Sequence, residues 1–300
     1  MPSLKAIRKR ITSTKSTQKI TRAMKMVAGA RLTRAQQRIV AMRPYAVKTG
    51  EVLQSVARTM NATADSPDEP AHPLLATRPE KKALYVVLTA DRGLCGALNT
   101  NINKATERAW REKEAAGATV AFITLGRKGR EYLGRRGGKV SQDFVRIYDG
   151  LDLEKARLVA AWLVPRFQKA EFDSVYLVFN EFKSAITQKV VVDRLLPLAD
   201  AADAGPDKDS GNAPNDFIYE PSQRALLERL VPMYVEISIY RAMLESQASF
   251  FGAQMTAMDA ATRNAKEMIA RLTLDYNRAR QAGITKELME IVGGAEALNG

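Results

Sequence analysis

The sequence predicts an α/β domain carried between two long terminal helices that pair as an antiparallel coiled coil. Three features lead to that reading: a sustained heptad pattern near the C-terminus, a basic helical stretch at the N-terminus, and alternating strand and helix signals between them.

The C-terminal pattern is the clearest. Leu244, Ala248, Phe251, Met255, Met258, Thr262, Ala265, Ile269, Leu272 and Tyr276 are spaced alternately by four and three, the repeat of a coiled-coil seam. Thr262 is its one polar member. No proline follows Pro232, so a helix is expected from about 224 to 292. At ~1.5 Å per residue it would extend roughly 100 Å, far beyond an ordinary globular helix. The N-terminal stretch has a weaker stripe, Leu4, Ile7, Ile11, then Ile20, Met24, Val27, then Ala35, Ile39, Met42, Ala46. This stripe slips between blocks, and Pro44 is expected to bend the helix or mark its weak point.

Between the ends, KALYVVLTA, TVAFITLG, SVYLVFNEF and ITQKVVVDRLLP read as strands, with helical patterns near 98–115, 127–136 and 151–171. Such alternation predicts a mostly parallel, Rossmann-like sheet, and the last two runs are close enough to pair directly. Proline-rich and acidic stretches mark the seams. The resulting segments are an N-terminal helix (1–60), a linker (61–81), the α/β domain (82–199), a loop (200–222) and a C-terminal helix (223–300).

Composition narrows the function. No apolar run reaches the roughly 18–20 residues of a membrane span, and MPSLKAIRKR is not a secretory signal. One cysteine, Cys95, precludes an internal disulfide, and with the single His72 it makes a zinc site a poor prospect. A reducing compartment fits best. The net charge of +13 is local: residues 1–50 hold thirteen Lys and Arg and no Asp or Glu, leaving 33 basic and 33 acidic groups elsewhere. That basic helix could be a nucleic-acid arm, a targeting segment, or a helix whose charge faces acidic partner surfaces.

No active site assembles from the residues. DRGLCGALN (91–99) lies where phosphate loops sit but lacks their glycine spacing, so a tight turn is expected. In GREYLGRR (129–136) Arg135 and Arg136 replace the Lys and hydroxyl residue of a P-loop. Cys95 has no base beside it in sequence, and His72 reads as a solvated linker residue. Asp152 and Glu154 look like helix-start charges. No cofactor or metal is expected.

Three blocks then add a family likeness. LKAIRKRITSTKSTQKITRAMKMVAGARL, LTADRGLCGALNTNI and LDYNRARQAGITKELMEIVGGAEAL closely resemble the γ subunit of F-type ATP synthases, in the expected order over about residues 2–298. The resemblance implies a non-catalytic central rotor shaft inside a ring of three α and three β subunits. It implies one copy per complex, with the ε subunit and the membrane c-ring as neighbours and no nucleic acid. On this reading c-ring rotation is coupled to conformational change in the catalytic β subunits. By the same likeness, Arg280, Gln281, Thr285 and Glu287 match positions that meet the β subunits, as do Met24 and Lys25, while Tyr219 and Glu220 match positions that touch the c-ring. Phe250 and Gln254 depart from the Glu and Arg usual there. With Cys95 alone, the thiol switch of the plant form is absent, and the bare MPSL start favours a bacterial chain at the cytoplasmic face of the inner membrane, peripheral to it. The alternative left open is a basic coiled-coil nucleic-acid-binding protein; a nucleotide-using enzyme built on 82–198 is a third.

Overall fold

The computed structural model describes residues 3–63, 72–198 and 222–299. Its elements in chain order are α1 (Leu4–Thr63), a 3₁₀ turn (Pro73–Leu75), β1 (Lys82–Leu88), α2 (Leu98–Ala115), β2 (Thr119–Leu125), α3 (Arg127–Arg135), β3 (Val140–Phe144), α4 (Leu153–Gln168), β4 (Ser174–Phe182), β5 (Gln188–Leu196) and α5 (Gln223–Asn299). The chain divides into two compact units, residues 1–29 with 254–300, and residues 30–253. The division falls inside both long helices.

In the unit of residues 30–253, one sheet runs β3-β2-β1-β4-β5. β1 is parallel to both β2 and β4, β3 is parallel to β2, and β5 returns antiparallel beside β4. The central strand reads KALYVVL because both its faces are covered, and such strands are near-continuously apolar. Leu84, Val86 and Leu88 enter one core with Leu163 and Phe167 of α4 and Val235, Ile239 and Leu244 of α5. Ala83, Tyr85 and Val87 enter a second core with Ile102 and Trp110 of α2 and Leu133 of α3. The period of two along β1 thus builds a three-layer sandwich. α5 can approach the β4–β5 hairpin because Gly252 has no side chain: a Cβ there would lie 3.2 Å from Ala185 Cα.

Two expectations fail here. β3 (VSQDF) is an edge strand with no fully buried residue and too few apolar positions to announce itself. His72 is not a solvated linker residue but is buried, its Nδ1 accepting from Leu74 N–H at 3.1 Å to cap the 3₁₀ turn. Leu74 is wholly enclosed, and its carbonyl accepts from Leu198 N–H at 3.2 Å. Burial lowers the His72 pKa below its usual value, partly countered by Glu228.

In the unit of residues 1–29 and 254–300, the partners run antiparallel. Thr14 meets Met268, Thr21 meets Thr262, and Lys25 meets Asp259. The expected α5 seam is buried or half-buried at Met255, Met258, Thr262, Ala265, Ile269, Leu272 and Tyr276. On α1 the expected stripe is wrong at three places, since Leu4, Ile20 and Val27 are 36%, 60% and 51% exposed. The seam instead follows Ile7, Ile11, Thr14, Gln18, Thr21, Lys25 and Ala28, all buried or half-buried and alternating by four and three. There is no slip; polar residues hold the positions where the apolar pattern lapses.

Candidate partner surface and the strand-end crevice

The loop after β1 is where a nucleotide reading stands or falls. Asp91 Oδ1 accepts from Arg127 N–H at 3.0 Å, and its Oδ2 from Arg146 N–H at 3.1 Å. Thr89 Oγ1 accepts from Gly129 N–H at 2.8 Å, and Asn99 Oδ1 from Ala90 N–H at 2.9 Å. The amides at the start of α3 are therefore taken up within the chain, that of Arg127 by Asp91, that of Gly129 by Thr89 and that of Lys128 by the Ala90 carbonyl at 3.2 Å, whereas α2, the helix that the loop after β1 opens, has no side-chain cap at Ala97. Gly126, at φ +102°, supplies the turn into α3, and a Cβ there would fall 2.1 Å from Thr89 O. Gly129 permits close contact with Thr89 rather than with a phosphate, a Cβ being 2.9 Å from Thr89 Oγ1.

Cys95 is buried, and burial pushes its thiol pKa up, the reverse of what a nucleophile requires. Its polar neighbour is Asn99, whose Nδ2 lies 3.3 Å from the sulfur. His72 is committed to the Leu74 cap. Among the described residues no group of His, Cys, Asp and Glu could hold a metal ion. Asp152 caps α4, accepting from Lys155 N–H at 3.1 Å, and Glu154 occupies the first turn.

The residues expected to meet partners lie on the paired helices. Met24 is half-buried. Lys25 Nζ is 2.6 Å from Asp259 Oδ1, and Arg263 is 3.3 Å from Asp259 Oδ2. The hydrogen bond and charge of Lys25, with Arg263, hold the Asp259 carboxyl below its usual pKa. Arg280, Gln281, Thr285 and Glu287 are all exposed on α5. At about 100° per residue, Arg280 and Glu287 share one strip, and Gln281 and Thr285 share another. Between the strips project Ile284, Leu288 and Ile291, exposed by 55%, 56% and 72%. An apolar strip rimmed by polar groups is the anatomy of a protein interface. Sequence reasoning missed this strip, because it singled out the polar residues and not the apolar ones spaced by four and three between them. It also missed Asp259, which stands one position past the seam residue Met258. Tyr219 and Glu220 lie outside the described residues.

The family model for ATP synthase matches residues 3–298. The ATP synthase gamma chain of Sorangium cellulosum (strain So ce56) is 56% identical over 325 aligned residues, covering 99% of each chain. The chain belongs to the ATP synthase γ-chain family. A second γ chain, from Geotalea uraniireducens (strain Rf4), is 47% identical over the full length of both. Among solved structures, a central stalk and c-ring structure of the Tetrahymena thermophila mitochondrial ATP synthase contains a chain 25% identical, with a TM-score of 0.61 over 81% of this chain and 99% of that one. A chain of the Euglena gracilis mitochondrial ATP synthase shares the fold at a TM-score of 0.65 and 19% identity, covering 98% of this γ chain and 94% of its own length.

Proposed function

We propose that this γ chain is the central stalk of a rotary, proton-translocating ATP synthase, coupling c-ring rotation to conformational change in the catalytic β subunits. The observation that carries this is the match to γ chains along the whole length, from paired terminal helices to α/β domain. On this reading the chain itself is not catalytic, which accords with α3 amides taken up by Asp91 and Thr89 and a thiol buried beside Asn99. It works by presenting an asymmetric surface. A rotating element can drive its surroundings only if its contacts with their alternative states differ in free energy.

On this reading Met24, Lys25, Arg280, Gln281, Thr285 and Glu287 meet the β subunits, of which there are three, alternating with three α subunits. Tyr219 and Glu220 reach the c-ring, ε binds beside them, and one γ chain serves each complex. No helix of the described residues is long and apolar enough to cross a membrane; attachment through the c-ring, at the cytoplasmic face of a bacterial inner membrane, makes the chain peripheral. The charge of residues 1–50 is then turned toward acidic protein surfaces, and the nucleic-acid alternative has no observation left to carry it.

Reconstitution tests the proposal. The chain alone should hydrolyse no ATP, whereas mixing it with α and β subunits should yield ATPase activity, and a tagged chain should bring down α, β and ε. Arg280→Ala and Gln281→Ala should assemble normally yet lower proton-driven ATP synthesis. Hydrolysis by the isolated chain, or failure to assemble, would overturn the function; unchanged synthesis in both variants would overturn only the contact assignment.

A further inference from the structure

Open α/β sheets hold ligands outside the carboxyl ends of their strands, where the strand order reverses. Here the chain runs outward from β1 to β2 and β3, then returns to set β4 on the other side of β1. Helix α5 crosses that reversal point. Ser246 Oγ donates to the Leu88 carbonyl at 3.4 Å, and Ser249 Oγ donates to that of Asn180 at 3.0 Å. The helix does not fill the crevice: a cavity of about 210 Å³ remains, with Leu98, Tyr148, Phe250, Phe251, Arg31 and Arg92 in its wall.

Three features give this space a chemical preference. Phe250 and Phe251 meet edge to face, their centroids 5.5 Å apart, and with Leu98 they make an apolar wall. The Tyr148 hydroxyl is buried against Ser246, whose Oγ is turned to the Leu88 carbonyl, and it makes no hydrogen bond of good geometry among the described residues, an arrangement that a ligand acceptor would relieve. Arg31 and Arg92 have no carboxylate partner among the described residues, and the Arg31 guanidinium rests over the Phe251 ring at 5.8 Å. Two aspartates also face the cavity, but both are engaged. Asp91 accepts from two backbone amides, and Asp149 is paired with Arg146 at 3.0 Å. The guanidinium groups of Arg31 and Arg92 are therefore the charged groups of the wall left without an oppositely charged partner among the described residues.

We propose that this cavity binds a small aromatic carboxylate, with its ring against Phe250 and Phe251 and its carboxylate taking hydrogen bonds from Arg31, Arg92 and Tyr148. Size supports one ring and one acid group. An apolar cavity of roughly 150 Å³ admits benzene, whereas a dinucleotide needs several times the present volume. Planar, forked guanidinium donors suit a carboxylate. Such a ligand would touch α1, α5 and the loops after β1 and β3 at once. The proposal does not depend on the rotary function.

The test is calorimetric titration of the full-length chain with benzoate, using benzyl alcohol as the neutral counterpart. Benzoate should bind saturably at one site, with a dissociation constant on the order of 1 mM, and benzyl alcohol at least tenfold more weakly. Phe250→Glu sets a carboxylate into the cavity and should weaken benzoate at least tenfold. Tyr148→Phe keeps the ring, so it should leave the melting temperature unchanged while weakening benzoate about three- to tenfold. Absence of saturable binding, equal binding of the neutral alcohol, or unaltered affinity in Tyr148→Phe would overturn the proposal, even if Phe250→Glu failed to fold.

Discussion

The α/β unit encloses Tyr85, Phe122 and Phe167 almost completely, together with many leucines, whereas the paired-helix unit buries small or slender side chains such as Ala28, Ala265 and Met258. Ala28 and Ala265 let the backbones approach but remove little apolar area from water. The unit compensates with cross-seam polar contacts: Thr21 with Thr262 at 2.9 Å and Lys25 with Asp259 at 2.6 Å. A purely apolar seam of similar residues tolerates sliding by a heptad, while a matched polar pair is satisfied in one register alone. The contrast teaches that burial holds one unit together and alignment defines the other.

The largest effect should come from attacking burial. Phe122 packs edge-on against Trp110 at 5.2 Å and lies near Tyr85 at 6.2 Å. Phe122→Ala should cost about 3–5 kcal/mol through lost transfer energy and the cavity left behind. Urea unfolding followed by tryptophan fluorescence would register it, since Trp110 and Trp162 both belong to this unit. A loss below about 1 kcal/mol would refute the claim that enclosed area dominates there.

A smaller effect, and a sharper one, is expected in the seam. Thr262 Oγ1 also donates to the Met258 carbonyl at 2.7 Å, which leaves its lone pairs for Thr21. Thr21→Val should destabilise by about 0.5–1.5 kcal/mol, read as faster amide exchange in peptides of α1 before residue 29. Pairing it with Thr262→Val should restore much of that protection, because neither partner is then left unmatched. If the double variant were the sum of the two singles, the hydroxyl pair would not be acting as a unit.

The smallest effects are pH windows, one for each unit. Burial depresses the His72 pKa in the fold, so its contribution is fully present above the ordinary value of 6.5 and is lost as pH falls through the lower folded value. Asp259 is depressed by Lys25, so its contribution is full above 3.8 and disappears only in stronger acid. Amide-exchange protection around the Pro73–Leu75 turn, measured against the intrinsic rate at each pH, should therefore fall on mild acidification, at a pH where the helix pair is unaltered. His72→Asn should flatten that response, and loosening of both units in the same pH range would contradict the assignment.

The α5 seam was legible because its residues are apolar and evenly spaced. The α1 seam was only half legible: searching for apolar residues selected Ile20 and Val27, which face solvent, and passed over Thr14, Gln18, Thr21 and Lys25, which face the partner helix. Polar seam residues become visible only when the opposite strand supplies Thr262 and Asp259. The strands β1, β2, β4 and β5 could be read from their β-branched runs, while β3 is polar and lies at the sheet edge. At the candidate surface the residue types could be read, but not the apolar strip between them, because its spacing acquires meaning only on an exposed helix face. The role of Asp91 was invisible for a related reason: its hydrogen-bond donors, Arg127 and Arg146, stand 36 and 55 positions along the chain.

Asp91 has a wider consequence. Its carboxylate takes up the first amide of α3 and the Arg146 amide after β3, and it is tethered by the backbone, so a dissolved anion competes for those two donors at a disadvantage. A protein surrounded by ATP, ADP and phosphate whose turning domain bound them would change shape with the nucleotide pool. A built-in counter-anion at the α3 turn leaves no place there for free phosphate, so that turn keeps its shape whatever the nucleotide pool does.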